Sequence, residues 1–117
     1  MTALVRCFSF TGVTTAPVNA ASGRYTSDSV SLMKNPYLAR QSITASTGSA
    51  QNTSAELTPS HAKLLQVQIQ PGKIVAIEVN PPNRSAEADV DSQYFSGDIM
   101  LECGPGWTLS IREIAVV

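Results

Sequence analysis

Residues 64–80 alternate between apolar and polar side chains, and this period of two constrains the fold more than any other feature of the chain. In the first half of the segment, apolar residues alternate with a row of three glutamines, Gln66, Gln68 and Gln70. Such a period places successive side chains on opposite faces of an extended strand. Pro71-Gly72-Lys73 interrupts the pattern, which resumes over residues 74–80. A short Pro-Gly connection between two alternating runs predicts a β-hairpin whose apolar residues face one core.

Weaker alternation elsewhere predicts further strands, at residues 3–10, 28–33, 40–46, 97–103 and 107–116. Asn80-Pro81-Pro82 ends one strand, because proline cannot donate to a sheet, and Gly104-Pro105-Gly106 forms a second tight turn. A single helical turn is predicted over residues 58–63. Seven or eight short strands in 117 residues indicate one all-β domain, an antiparallel sandwich or barrel, and we adopt the β-sandwich.

Two segments, residues 11–29 and 44–60, are rich in Ser, Thr and Ala and nearly free of large apolar residues. Such segments bury too little surface to offset the entropy lost on ordering. A structureless loop of this length is unusual in a compact domain. We therefore expect extended arms or loops that either move or lie against another chain.

The charge pattern argues against several classes of partner. The net charge is −1 and only 15% of residues are charged, with the eight basic residues scattered along the chain. A nucleic-acid surface would cluster them, and no stretch approaches the roughly 20 apolar residues of a membrane span. The N-terminal residues do not resemble a signal peptide. We expect a protein made in the cytoplasm that binds neither nucleic acid nor membrane, with Cys7 and Cys103 as two buried thiols.

The residues that usually carry catalysis or metal binding do not form a recognisable motif. His61 is the sole histidine and lies in a polar loop. Neither cysteine has the surroundings of a known nucleophile motif. Glu87, Asp89 and Asp91 alternate without the spacing of a calcium loop, and a solvated loop is the simpler interpretation. We expect no enzyme activity, no metal and no cofactor.

The aromatic residues and the glutamine row supply the candidate contact residues. Trp107 alternates in step with neighbouring apolar residues, which favours a core position over an exposed platform. Tyr94 and Phe95 lie between turn residues, either as an exposed contact or as an anchor packed on the core. The glutamine row is either a solvent face or an assembly face, because it lacks the charges that usually block stray contacts. The candidate interface residues are Arg24, Tyr25, Tyr37, Arg40, Gln66, Gln68, Gln70, Tyr94 and Phe95.

The second half of the chain, AKLLQVQIQPGKIVAIEVNPPNRS followed by SGDIMLECGPGWTLSIREI, resembles small virion proteins of tailed bacteriophages, in particular capsid decoration or cement proteins. The shared features are a hairpin around a Gly turn, a polar NPP break and a late Gly-Trp strand. The resemblance covers roughly residues 62–114.

This resemblance implies a jelly-roll-like β-sandwich that forms homotrimers (sometimes dimers) on the outer surface of an icosahedral capsid. Its role would be mechanical, since it bridges neighbouring subunits of the major capsid protein and needs no metal, cofactor or catalytic residue. The alternative is a carbohydrate- or receptor-binding β-sandwich module of a phage tail or fibre. That function would require an exposed aromatic side chain at Trp107 or Tyr94.

Overall fold

The computed structural model describes residues 2–19, 25–34 and 36–115, with residues 14–19 and 25–33 described by their backbone. It contains one short 3₁₀ helix, Ala55–Leu57. The described strands are β1 (Thr2–Phe10), β2 (Val13–Asn19), β3 (Tyr25–Met33), β4 (Ala39–Ser46), β5 (Gln51–Asn52), β6 (Leu64–Ile69), β7 (Ile74–Asn80), β8 (Tyr94–Phe95), β9 (Asp98–Glu102) and β10 (Thr108–Ile114).

Eight of these strands form two antiparallel sheets that pack face to face. The first sheet has the order β4-β1-β6-β9 and the second the order β5-β10-β7-β8. Their inward side chains form one continuous hydrophobic core. The predicted all-β antiparallel sandwich is therefore confirmed, while the jelly-roll-like connectivity stays a prediction.

The core is built from alternate residues of each strand, as the period of two predicts. In β1 the inward residues Ala3, Val5 and Cys7 are fully buried, and in β6 the inward residues are Leu65, Val67 and Ile69. Val75 and Ile77 of β7 and Leu109 and Ile111 of β10 close the core from the other sheet. Each buried Val, Leu or Ile side chain among them contributes roughly 1.5–3 kcal/mol, so the core dominates the stability of the sandwich.

The connection at Pro71-Gly72-Lys73 differs from the prediction. β6 pairs with β1 and β9, whereas β7 pairs with β10 and β8, so the turn crosses from one sheet to the other and the predicted hairpin is wrong. Gly72 has a φ of +81°, a conformation that glycine adopts at little cost. The apolar residues of the two strands do share one core, but they meet across the sandwich instead of side by side.

The polar segment 44–60 is ordered by its own chain. Its first residues complete β4, and β5 pairs with β10. The Thr53 hydroxyl accepts a 2.8 Å hydrogen bond from the Leu109 N–H, and the Thr58 hydroxyl donates a 2.7 Å bond to the Trp107 carbonyl. Leu57 is 2% exposed and belongs to the core. The single turn predicted within residues 58–63 is present as a hydrogen-bonded turn, in which the Ala62 N–H donates a 3.1 Å bond to the Pro59 carbonyl, and the 3₁₀ helix lies just before it.

The polar segment 11–29 lies largely in a two-stranded ribbon formed by β2 and β3. The strands pair antiparallel from Val13 opposite Met33 to Asn19 opposite Tyr25. The Lys34 N–H donates a 3.0 Å bond to the Gly12 carbonyl where the ribbon begins. Apart from each other, the two strands have no extended contact with any other described element. The ribbon is therefore an extension of the sandwich and not part of its core.

A salt bridge joins a buried side chain of β10 to the partly exposed Lys73 in the turn between β6 and β7. Glu113 lies on the inward face of β10 and is 2% exposed, with Lys73 Nζ at 3.7 Å from its Oε1. Its other oxygen, Oε2, has no hydrogen-bond partner among the described residues. A buried pair of this kind adds little stability over an apolar pair of the same size. We therefore assign it no chemical role.

Candidate protein-contact face

The outward side of the first sheet, here called the open face, brings most of the predicted contact residues together. Strand register sets its rows: Ser42, Arg6, Gln68 and Asp98 form one row across the four strands. The next row is Arg40, Phe8, Gln66 and Met100. The open face comprises Leu4, Arg6, Phe8, Tyr37, Arg40, Ser42, Thr44, Gln66, Gln68, Gln70, Asp98 and Met100.

The glutamine row runs down the centre of this face. Gln66 and Gln68 lie on β6 and are half-buried between the neighbouring strands, and Gln70 is exposed just beyond the strand end. Gln70 Oε1 accepts a 3.0 Å hydrogen bond from the Leu4 N–H. Gln68 and Gln70 line a shallow depression together with Leu4, Arg6 and Asp98. The glutamine row itself is therefore uncharged, but Arg6 lies opposite Gln68 on the other inner strand, β1.

Large apolar side chains stand exposed beside the glutamines. Leu4 is 44% exposed and Met100 is 57% exposed, on strands either side of β6. The Tyr37 ring meets the Phe8 ring edge to face, with 5.3 Å between centroids. Leu4 lies beside Gln70 and Met100 lies beside Gln66, so they are separate exposed side chains and not one apolar patch. Met, Tyr and Arg, which the open face carries, are enriched at protein interfaces.

Two charged side chains of the open face lie beside Gln68 and do not form an ion pair with each other. Arg6 and Asp98 lie on opposite sides of Gln68, on β1 and β9. The ion pairs found among the described residues lie elsewhere. Both groups therefore keep hydrogen-bonding capacity for a partner that covers the glutamines.

The outward side of the second sheet, here called the covered face, is closed by its own loop, residues 81–93. The Asn80 side chain donates a 2.8 Å bond to the Ala86 carbonyl and accepts a 3.1 Å bond from the Ala86 N–H. The Ser110 hydroxyl accepts a 2.9 Å bond from the Ala88 N–H. Both side chains are buried, although they point away from the core.

A carboxylate network fastens the same loop from its outer side. Glu78 on β7 accepts a 2.6 Å bond from the Ser92 hydroxyl and a 2.8 Å bond from the Arg84 guanidinium. The Ser92 hydrogen bond, followed by the Arg84 hydrogen bond, lowers the pKa of Glu78 from its ordinary value of 4.5. The charged form of Glu78 therefore holds the loop.

Two of the remaining predicted contact residues, Tyr94 and Phe95, lie in the second sheet and not on the open face. Tyr94 and Phe95 form β8 at the edge of the second sheet and not a loop. Tyr94 is 47% exposed and its hydroxyl donates a 2.6 Å bond to the Val90 carbonyl, whereas Phe95 packs against the core. Tyr25 is the first residue of β3. Arg24 lies outside the described residues.

Seven members of the open face were not singled out as contact residues from the sequence, namely Leu4, Arg6, Phe8, Ser42, Thr44, Asp98 and Met100. The alternation of residues 3–10 does place Leu4 and Arg6 on the face opposite Ala3 and Val5. What alternation cannot reveal is which of the two faces is buried when both carry large apolar residues.

The candidate residues for catalysis or metal binding are placed as follows. Burial raises the pKa of the Cys7 thiol to about 12, and burial together with the Glu102 carboxylate raises the pKa of Cys103 to about 11. Both are free thiols inside the sandwich. His61 is exposed in a turn with a φ of +73°. Within the described residues, no group of three acidic, His or Cys side chains is placed to hold a metal ion.

Trp107 packs against the core with part of its ring exposed, in agreement with the predicted core position. Gly104 makes room for it, because a Cβ at that position would lie 2.9 Å from the indole Nε1. Trp107 therefore contributes to core packing and is not presented as an exposed platform for a ligand.

Comparison with known proteins found no matching family model, no similar curated protein and no similar solved structure. Across the described residues, no helix is long and apolar enough to cross a membrane.

Proposed function

We propose that this chain is a structural virion protein that decorates and stabilises a bacteriophage capsid, and that the open face is its protein-contact surface. The observation that carries the proposal is the exposure of Leu4 and Met100 beside an uncharged glutamine row. Burial of such a surface by another protein is favourable because the apolar groups leave water, and a partner that covers it has to pair with Arg6 and Asp98.

The proposed partners are the major capsid protein and further copies of this chain, assembled as a homotrimer. The resemblance of residues 62–114 to decoration proteins supports this choice. A bridging protein needs a stable scaffold and an interface of roughly 1,200–2,000 Å² in total. A four-stranded sheet face is a natural scaffold for a surface of that size, and repetition over a shell multiplies a modest affinity.

The test measures the mass of the purified chain in solution and its binding to phage heads. The head should be that of the phage that encodes the chain, prepared in expanded and immature forms. We expect a trimer that sediments with expanded heads and not with immature ones. A monomer that binds neither form would contradict the proposal.

A further inference from the structure

The glutamine row of the open face is able to bind a copy of itself. A glutamine amide both donates and accepts hydrogen bonds, so Gln66, Gln68 and Gln70 of one molecule can bond the same three residues of another. A row of lysines or glutamates at these positions would repel its own copy. The row is therefore self-complementary as it stands.

The side chains on either side of the row are complementary to each other. Arg6 on β1 and Asp98 on β9 lie on opposite sides of Gln68, and both are exposed. In the next row, Phe8 on β1 and Met100 on β9 lie on opposite sides of Gln66. A positive charge is thus balanced across β6 by a negative charge, and an apolar side chain by another apolar side chain.

A two-fold axis that runs along β6, between two open faces, brings these complements together. It lays β1 of one copy over β9 of the other, because these strands flank β6 on either side. Arg6 then faces Asp98 of the second copy at two symmetric contacts, and Phe8 faces Met100. Packed sheets lie about 10 Å apart, a gap that an arginine and an aspartate side chain span together.

Other two-fold axes over the same face bring like charges together. An axis along β1 would set Arg6 against its own copy. An axis across the strands at Gln68 would do so as well, and would also set Asp98 against Asp98. Like charges brought together in an interface oppose binding strongly. The charges therefore select the axis along β6.

We infer that a second copy of this chain covers the open face, in a symmetric dimer whose two-fold axis runs along β6. The inference rests on the proposed use of the open face as a protein-contact surface, and it names which of the proposed partners covers that face. A trimer would then form, and bind the capsid, through other surfaces. Pairing at the open face would link one trimer to the next and so strengthen attachment to the shell.

The pairing is weak in solution, because only three of the four strands overlap when the axis lies along β6. Interfaces that bury less than about 1,200 Å² in total are typically transient. We therefore expect pairing to appear as protein concentration rises and to weaken with added salt, which screens the exposed charges.

Charge reversal in the full-length chain tests both the partner and the axis. In Arg6→Glu, two acidic side chains meet at each symmetric contact, and in Asp98→Arg two arginines meet. An equimolar mixture of these variants restores an acid-arginine pair at both contacts. Lys34→Glu and Asp91→Arg make the same charge changes at exposed positions outside the open face and serve as matched controls. Sedimentation velocity over a concentration series gives the dissociation constant, and urea denaturation shows that each variant is folded.

We expect the mass of the wild type at low concentration to double as concentration rises. Arg6→Glu and Asp98→Arg should each raise the dissociation constant at least about ten-fold. Their mixture, and the Arg6→Glu/Asp98→Arg double variant, should pair within a factor of about three of the wild type, as should both controls and the mixture of the controls. Single variants that pair like the wild type, or a mixture that stays unpaired, would overturn the inference.

Binding to expanded phage heads separates this inference from the proposed function. A wild-type chain that binds heads but does not pair at any concentration would overturn the inference alone. Charge-dependent pairing without head binding would support the inference of a second copy on the open face and contradict the capsid role.

Discussion

The two outward faces of the sandwich each span four antiparallel strands, yet among the described residues only one of them is closed by a loop of its own chain. On the covered face, outward Ser110 and Asn80 are buried beneath residues 81–93 and each bonds that loop. On the open face, outward Leu4 and Met100 stand exposed.

The difference shows how a small domain divides its polar residues between folding and contact. Polar groups on the covered face stabilise the fold. Each has an intramolecular hydrogen-bond partner, and loss of that partner would leave a buried polar group unsatisfied. Among the described residues, the glutamine side chains of the open face make no such hydrogen bond within the fold, apart from that of Gln70 with the Leu4 N–H. Substitutions should therefore affect stability on one face and association on the other.

The largest expected effect on stability is that of Asn80→Ala. This change removes two hydrogen bonds to Ala86 and leaves both backbone groups without their partner. We expect a loss of about 2 kcal/mol in the free energy of unfolding, measured by urea denaturation. Gln66→Ala on the open face is the control and should change stability by less than about 0.5 kcal/mol. Equal losses of unfolding free energy in Asn80→Ala and Gln66→Ala would contradict the distinction between the two faces.

A smaller loss is expected for Ser110→Ala. The Ala88 N–H would lose its buried acceptor, at a cost of about 1–2 kcal/mol. Ser42→Ala, an exposed serine in the open face, is the matched control and should unfold like the wild type. The same denaturation experiment decides the matter, and a stable Ser110→Ala protein would show that the loop is held by other contacts.

Glu78→Gln should have a smaller, pH-dependent effect. Because the pKa of Glu78 is lowered in the folded protein, its carboxylate stabilises the fold above pH 4.5 and loses that effect as the pH falls through the folded-state pKa. We expect a deficit below about 1 kcal/mol at pH 7 that shrinks at acidic pH. Glu87→Gln, in the same loop, controls for the change in net charge. A deficit that is unchanged at low pH would contradict a role for the charge.

The smallest effect on stability is expected for Met100→Ser. Its side chain is 57% exposed, so the free energy of unfolding should change by less than about 0.5 kcal/mol. Binding to the partner protein should nevertheless weaken, because apolar contact area is lost. Sedimentation with expanded phage heads, together with denaturation, separates the two effects. A large loss of stability would show that Met100 belongs to the fold and not to a contact surface.

Much of the fold was predictable, because alternation is a local property. Strands at residues 3–10, 40–46, 63–70 and 74–80 follow from their period of two, and the structure contains them within a residue or two. The crossing of the chain from one sheet to the other at Pro71-Gly72-Lys73 was not predictable. Inward apolar residues follow the same pattern whether two strands pair in one sheet or face each other across a core. β2 was missed because its Thr-rich sequence has no apolar alternation.

The open face was predictable only in part. The glutamine row marked one of its strands, and Tyr37 and Arg40 were placed among the contact residues, but their neighbours on β1 and β9 depend on strand order. The loop over the other face left no sequence signal. Asn80 indicates a strand end, and its bonds to Ala86 exist only once the loop has folded back.

The claim that the open face binds protein is tested most directly by two glutamine-to-lysine substitutions. Gln68→Lys places a charge at the centre of the open face, and Gln93→Lys makes the same change at an exposed position in the loop of the covered face. Both variants should unfold like the wild type. In sedimentation with expanded phage heads, we expect Gln68→Lys to bind at least ten times more weakly and Gln93→Lys to bind within a factor of two of the wild type. Undiminished binding by Gln68→Lys, or an equal loss in both variants, would contradict the account.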